Sequence, residues 1–214
     1  ISAGVRLWRE QRELLEGIAR EQRVSPQYIL GILGVETYYG RITGRYRVID
    51  ALATLAFDYP PRSPFFRSEL GNFLQLAREE QLDPLAPLGS YAGAMGIAQF
   101  MPSSYRRYAV NAGGTPARDL WADWADVFAS VANYLRQHGW QYGGTVLAEA
   151  RYVGEAVPVL PDGVALNDTL GSLRQRGFEV AYGAADDTPA TIVNAPLAPD
   201  RANYRVGFNN FYVI

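Results

Sequence analysis

Apolar residues recur at helical spacing through most of the first two thirds of the chain. Val5, Trp8, Leu14, Leu15 and Ile18 predict one amphipathic helix over 1–22. Ser25-Pro26 reads as a helix start, with Ser as N-cap and Pro at the first helical position. That helix is expected to run to about Tyr39, with Gly40 as its glycine stop. Asp50 is expected to cap a short helix over 51–58, which Tyr59-Pro60-Pro61 ends. Ser63-Pro64 opens another helix, with Phe65, Phe66, Leu70, Phe73, Leu74 and Leu76 as its buried face. Residues 83–102 are loop-rich, with small residues over 89–96. Pro102-Ser103-Ser104 starts a short helix through Tyr108, 111–115 reads as a turn, and 123–138 as a strong helix. Val127, Phe128, Val131, Tyr134 and Leu135 lie on one side of the last.

After Gly143 the pattern changes. Segments 145–153, 156–160, 189–194 and 203–206 are short, rich in β-branched residues and bounded by Pro, Gly, Asn and Asp, which predicts strands. Residues 168–176 predict one helix, ended by Gly177. The fold class is therefore mainly α, α+β overall: a helical region followed by a small α+β domain. The 214-residue length suits one sizeable domain, or a core plus a smaller one.

Composition narrows the function classes. The chain is 48% hydrophobic and 20% charged, the balance of a folded protein and not of a disordered one. A net charge of −2 without a basic run argues against nucleic-acid or anionic-membrane binding as the main role. No apolar stretch reaches the roughly 18 residues of a membrane span. Cysteine is absent, which excludes disulfides and thiolate metal sites and leaves the compartment open. The first residue is Ile1, so a processed or trimmed product is expected. The 14 Tyr and 4 Trp offer flat apolar faces with a polar edge, which suit sugar rings and core packing equally.

Glu36 is the first candidate for chemistry. Ile32 and Leu33 precede it by four and three residues, which predicts a carboxyl on the core side of its helix. Desolvation there favours the neutral acid, as a general acid for a glycosidic oxygen requires near neutral pH. The alternative is a Glu ion-paired with Arg41, Arg45 or Arg47. Gln99 lies among apolar groups, so its amide needs a partner in the protein or in a ligand. His138, the one histidine, falls in the last turn of a helix, where a cation is favourable. Glu69, Glu79 and Glu80 read as a solvated helix face, and Asp50 and Asp58 as helix-end residues. No second carboxylate near Glu36 is obvious.

Four blocks together strongly resemble the B-type lytic transglycosylases of bacterial envelopes: Gly34-Val35-Glu36-Thr37-Tyr38-Tyr39-Gly40-Arg41; Asp50-Ala51-Leu52-Ala53-Thr54-Leu55; Gly93-Ala94-Met95-Gly96 with Gln99-Phe100-Met101-Pro102-Ser103-Ser104-Tyr105; and Ser130-Val131-Ala132-Asn133-Tyr134 with His138-Gly139-Trp140. They occur in the family's order and spacing over about 30–140. The resemblance implies a lysozyme-like catalytic core over 26–142, with 1–25 as a helical segment of the same α region, 143–205 as the small α+β domain and 206–214 returning to the core. It implies cleavage of the β-1,4 bond between N-acetylmuramic acid and N-acetylglucosamine in peptidoglycan without water, leaving a 1,6-anhydro ring. Glu36 would be the single catalytic acid and base. Ser90, Gln99, Phe100, Met101, Tyr134 and Arg62 would contact the substrate: Gln99 at the acetamido group, Phe100 and Met101 against sugar faces, Tyr134 across the groove, and Arg62 at a lactyl or stem-peptide carboxylate. The implied partners are glycan strands and other cell-wall enzymes, and not nucleic acid. The implied location is the envelope of a Gram-negative bacterium, in the periplasm and with any outer-membrane anchor outside this chain.

Two departures stand out. Where relatives carry an EF-hand-type calcium loop this chain reads Asn111-Ala112-Gly113-Gly114-Thr115-Pro116-Ala117-Arg118-Asp119-Leu120-Trp121. Gly113, Pro116 and Ala122 stand where ligands or the loop glycine belong, so no metal and no other cofactor is expected. The family's usual Thr-Arg-Tyr-Asn segment and closing helix are expected beyond Ile214. Two rival functions use the same residues: a hydrolytic muramidase with Glu36 as its acid, and a non-catalytic peptidoglycan-binding module that needs only the groove aromatics.

Overall fold

The computed structural model describes residues 1–196, 198 and 202–214. Contacts divide the chain into two units, Ile1–Gln137 and His138–Ile214.

The first unit is helical. The predicted helix over 1–22 is two helices, α1 (Ser2–Glu10) and α2 (Arg12–Gln22), because Gln11 leaves helical geometry at φ −113, ψ 24. The break re-phases the apolar stripe: Leu7, Leu15, Ile18 and Ala19 are buried and Val5 is exposed. α3 (Pro26–Thr37) starts as predicted with Pro26 in its first turn and Ser25 before it, although Ser25 makes no side-chain cap bond. It stops before Tyr38, where Tyr38, Tyr39 and Gly40 take φ of 49, 62 and 80 in succession. The reversal turns the Tyr39 ring back onto its own helix; a Cβ on Gly34 would meet the Tyr39 hydroxyl at 2.7 Å, so the tight fit requires glycine.

β1 (Tyr46–Arg47) leads into α4 (Val48–Asp58) and pairs antiparallel with β2 (Leu88–Gly89). Asp50 is not the cap of α4. Arg47 holds that position, and Asp50 lies in the first turn with an Oδ2 contact of 2.6 Å to Arg47 Nε. A 3₁₀ turn, Pro60–Arg62, precedes α5 (Ser63–Glu79). The buried face of α5 is Phe66, Glu69, Phe73, Leu76 and Ala77; Phe65 and Leu74 are exposed. α6 (Pro102–Tyr108) follows the loop passage, and α7 (Trp124–Gln137) closes the unit. Every residue from 125 to 132 is buried, so this stretch of α7 is enclosed on all sides, while Arg136 and Gln137 in its last turn are exposed.

The three glutamates read as a solvated face do something else. Glu69 is only 4% exposed, and its carboxylate accepts Ser103 N at 2.9 Å and Ser103 Oγ at 2.6 Å, in the first turn of α6. Glu79 takes Arg106, and Glu80 takes the guanidinium and backbone N–H of Arg118. Glu69 and Glu79 of α5, with Glu80 directly after it, thus tie down the segment 103–118. A buried acid persists only with such partners, and helix-start N–H groups supply them.

In the second unit, β3 (Leu147–Tyr152), β4 (Asp168–Thr169), β5 (Phe178–Val180), β6 (Pro189–Asn194) and β7 (Tyr204–Gly207) form an antiparallel sheet of order β4-β6-β7-β3-β5. α8 (Leu170–Gln175) starts on a capping box between Thr169 and Ser172. Leu170, Leu173, Phe178, Ile192 and Val206 belong to the core of this unit. Residues 156–160 are not a strand; Pro158 within the run lacks the N–H a ladder needs. β5, three residues directly after Gly177, is too short to give an alternating pattern in the sequence. Residues 206–214, with α9 (Asn209–Val213), lie in this unit.

Candidate active site

Glu36 lies in the last turn of α3, whose buried side is Ile29, Leu30, Leu33 and Thr37. It stands 100° of helical turn from Thr37, at the edge of that face. The residue is therefore exposed, contrary to the core-facing position read from Ile32 and Leu33. Its carboxyl is still raised above the usual glutamate range, by desolvation. Among the described residues no ion pair reaches it, so the pairing with Arg41, Arg45 or Arg47 does not form. Arg47 is engaged by Asp50.

Thr37 fixes the neighbouring segment. Its hydroxyl donates to Ile97 O at 2.8 Å and accepts Gly40 N at 2.9 Å. The first bond joins the end of α3 to the run 97–100, and the second shapes the turn that ends the helix. Past this turn a cleft of about 590 Å³ opens, lined by Arg41, Ile42, Thr43, Gly44, Arg45, Tyr46, Ser90, Tyr91 and Gln99. No carboxylate lines it. Its wall is held at two points: the Gln99 amide donates to Thr43 O at 3.1 Å and Gly96 O at 2.9 Å, and β1 pairs with β2. Gly44, at φ 98, lets the two walls touch; a Cβ there would lie 2.0 Å from Gly89 O.

The residues expected to touch substrate fall in three places. Ser90 and Gln99 meet in the cleft. Ser90 Oγ accepts Ala92 N and Ala94 N at 3.2 and 3.0 Å, which leaves its O–H to donate. Gln99, at a left-handed φ of 51, spends its N–H groups on protein carbonyls and keeps Oε1 as acceptor. Phe100 and Tyr134 pack together, ring centroids 5.7 Å apart, and Tyr108 meets Tyr134 edge-on at 5.2 Å. Phe100 is buried, and Met101 is half-buried at the start of α6. The Tyr134 phenol is raised by desolvation, then by Tyr108, so it stays protonated. Arg62 sits apart from the cleft, in the 3₁₀ turn before α5, its guanidinium 4.6 Å from the Phe65 ring centroid and 5.3 Å from that of Phe66. Thr37, Tyr46 and Tyr91 join the site through the fold. Thr37 follows the candidate acid directly; Tyr46 and Tyr91 carry no local signal, since the β1–β2 pairing brings them together.

The residues present do not fit the family's calcium loop. Asp126 Oδ1 accepts Ala112 N and Gly113 N at 2.6 and 2.9 Å, and Oδ2 accepts Asp119 N at 2.7 Å. Asp119 Oδ1 takes Trp121 N and Ala122 N, and Asp123 Oδ1 takes Ala125 N. These carboxylates cap backbone N–H groups, and among the described residues no three His, Asp or Glu side chains converge as a metal set.

Among the described residues, fold and site define a mainly helical domain in which a desolvated carboxyl outside any ion pair ends the helix that leads into a cleft lined by arginines and no carboxylate. The chain belongs to the family of transglycosylase SLT domains, whose model matches residues 1–214. It is 41% identical, over all 214 residues, to membrane-bound lytic murein transglycosylase B of Escherichia coli K12, and spans 58% of that relative's length. It is similar to the crystal structure of soluble lytic transglycosylase SltB1 from Pseudomonas aeruginosa, with 46% identity, a TM-score of 0.93, and 99% of this chain and 70% of that one covered. The structure of SltB3 from the same species in complex with NAG-anhNAM-pentapeptide matches at 28% identity and a TM-score of 0.83, over 99% of this chain and 56% of that one. The fold is accordingly lysozyme-like and mainly α, with a small α+β part.

Proposed function

We propose that this chain carries the catalytic centre of a peptidoglycan lytic transglycosylase, with Glu36 as its acid and base. The observation that carries the reading is the Glu36 carboxyl, raised by desolvation and, among the described residues, outside any ion pair, in the last turn of the helix whose chain leads on into a cleft lined by no carboxylate. Hydrolysing glycosidases of the usual kind need two carboxylates around the bond. One suffices where the substrate supplies the other groups. Protonated Glu36 gives its proton to the glycosidic oxygen as the bond to muramic acid C1 breaks. The acetamido oxygen of the same sugar closes on C1 and holds the positive charge. The Glu36 carboxylate then takes the proton of the 6-hydroxyl while that oxygen attacks C1 and the acetamido oxygen leaves. Glu36 ends protonated, and no water is consumed.

Ser90 O–H and Gln99 Oε1 are the open donor and acceptor in the cleft, suited to a sugar hydroxyl and an acetamido N–H. The Tyr134 phenol, in ring contact with Phe100, and the Met101 side chain would pack against sugar faces. Arg62, outside the cleft lining, is the cation we assign to an anionic substituent of the substrate. The relatives' names support a murein substrate, and the complex of SltB3 with an anhydro sugar supports the anhydro product. Glycan strands are the partner, and the Gram-negative envelope, where such strands lie, is the location we assign. No described helix is long and apolar enough to cross a membrane.

The test is mass spectrometry of peptidoglycan digested by this protein and by its Glu36→Gln variant. Muropeptides one water lighter than lysozyme products, lost with the variant, are expected. Products with ordinary reducing ends would replace this reading with the muramidase one.

A further inference from the structure

α3 ends in a backbone run that residues with side chains avoid. Tyr38, Tyr39 and Gly40 take φ of 49, 62 and 80 in succession, and only the third is glycine. Bulky aromatic residues in the left-handed region are strained, and such a run persists only where its surroundings enforce it. Three contacts enforce this one. Tyr39 N donates to Leu33 O at 3.0 Å, closing a loop of backbone that contains Glu36. The Thr37 hydroxyl accepts Gly40 N at 2.9 Å. The Tyr39 ring, lastly, sits against two glycines on separate helices, Gly4 of α1 and Gly34 of α3. A Cβ on Gly4 would lie 2.9 Å from Tyr39 Cζ and nearer still to the hydroxyl; one on Gly34 would lie 2.8 Å from the same Cζ. The same end of the ring thus meets both helices, and neither glycine can carry a side chain without moving it. Neither helix needs the glycine for itself. Both positions lie inside helices without a left-handed φ, where alanine is the better residue.

We infer that Tyr39 is a positioning residue for Glu36: its ring, seated against Gly4 and Gly34, holds the left-handed turn that sets the carboxyl, and so makes the first helix a support of the active site. The inference rests on the reading of Glu36 as the acid that cleaves murein. Glu36 needs support through its backbone, because desolvation acts on its carboxyl with no hydrogen bond and no charge beside it. Where the carboxyl points, and how far water reaches it, therefore follow from the placement of the segment 33–39. The ring fixes that segment at both ends: Gly34 opens it, and Tyr39 closes it through its own N–H to Leu33 O. α1 enters through Gly4, thirty-two residues before the acid, in a helix that otherwise reads as packing alone. A shift of the turn by about 1 Å is enough to cost on the order of a hundredfold in rate, since proton transfer to the leaving oxygen depends on alignment.

The experiment replaces single glycines by alanine and reads kcat and KM on solubilised peptidoglycan together with a carbon-13 NMR titration of the Glu36 carboxyl. Gly17→Ala and Gly31→Ala are the controls, since a Cβ at either meets nothing within 4 Å. They should keep the parent's kcat. Gly4→Ala and Gly34→Ala should lower kcat by roughly tenfold to a hundredfold with KM within about twofold, and should move the Glu36 pKa down toward the ordinary glutamate value as water gains access. If the two glycines served only their helices, alanine would raise the melting temperature and leave kcat alone, so the two accounts differ in sign. Adding Tyr39→Phe to Gly4→Ala removes the ring atom nearest the new methyl and should restore part of the lost kcat. Should a glycine variant fail to fold, Tyr39→Ala, which empties the seat without forcing the helices apart, carries the same expectations. Parent kcat and parent Glu36 titration in Gly4→Ala and Gly34→Ala overturn the inference, as does a loss that the controls share or that Tyr39→Phe does not relieve. A shifted Glu36 titration in a protein whose parent forms no anhydro product leaves this inference standing and removes the catalytic reading.

Discussion

Thr37 Oγ1 lies 2.8 Å from Ile97 O, a hydrogen bond across sixty residues of sequence. It joins the turn that carries Glu36 to the loop that carries Gln99, inside a core where Thr37 is 1% exposed. Replacing the hydroxyl with a methyl leaves Ile97 O and Gly40 N without their partner. Thr37→Val should therefore destabilise by about 1–3 kcal/mol and lower turnover by more than tenfold, while Thr37→Ser retains most of both. Denaturant melts alongside turnover on purified peptidoglycan check this. Full activity in Thr37→Val would show that the bond does not position the acid.

Glu36 gives a pH prediction with a definite sign. Desolvation raises its folded-state pKa above its unfolded value. Below the unfolded value the group is neutral in both states and costs nothing. As pH rises through the folded value, the carboxylate forms in a place that disfavours it, and stability is lost. Glu36→Gln should thus abolish product formation and yet melt higher than the parent at neutral pH, with the gap closing as the pH falls. The rate should decline on the alkaline side as the acid loses its proton. Thermal melts at pH 4 and pH 7.5 decide the matter; a variant that melts lower at pH 7.5 contradicts it.

Asp126 holds three backbone N–H groups of the loop 112–119 and is fully buried. Asp126→Asn keeps one acceptor oxygen and turns the other position into a donor facing a donor. A loss of about 2–4 kcal/mol is expected, more than for an exposed carboxylate. Because the carboxylates of this loop are committed to the backbone, millimolar calcium should leave the parent's melting temperature unchanged. A saturable rise with calcium would contradict the account of the loop.

Glu69→Ala should cost about 2–3 kcal/mol, since it strips the first turn of α6 of its acceptor and leaves a buried void. Chemical denaturation measures it. A change within about 0.5 kcal/mol, the range of ordinary surface substitutions, would contradict the capping role.

These partners explain what the sequence hides. Helix starts at Pro26, Ser63 and Pro102 are legible because proline and serine act locally. The candidate acid is legible because a long motif surrounds it. The break at Gln11 has no breaker residue, so no local signal marks the point where the backbone leaves helical geometry. Glu69 sits on a plain helical stretch, and its burial depends on Ser103, thirty-four residues away. The same is true of the cleft, whose walls meet through the pairing of Tyr46 with Gly89. The i−3 and i−4 neighbours of Glu36 predict a core-facing carboxyl, but its helix buries the adjoining stripe and leaves it at the edge.

The central claim is that bond cleavage at Glu36 consumes no water. The most direct measurement digests purified peptidoglycan in water enriched in oxygen-18, with lysozyme as the hydrolysing control, and weighs the released muropeptides. Products from this protein should carry no heavy oxygen and be one water lighter than the control. Heavy oxygen at the muramic acid C1 of its products would contradict the claim.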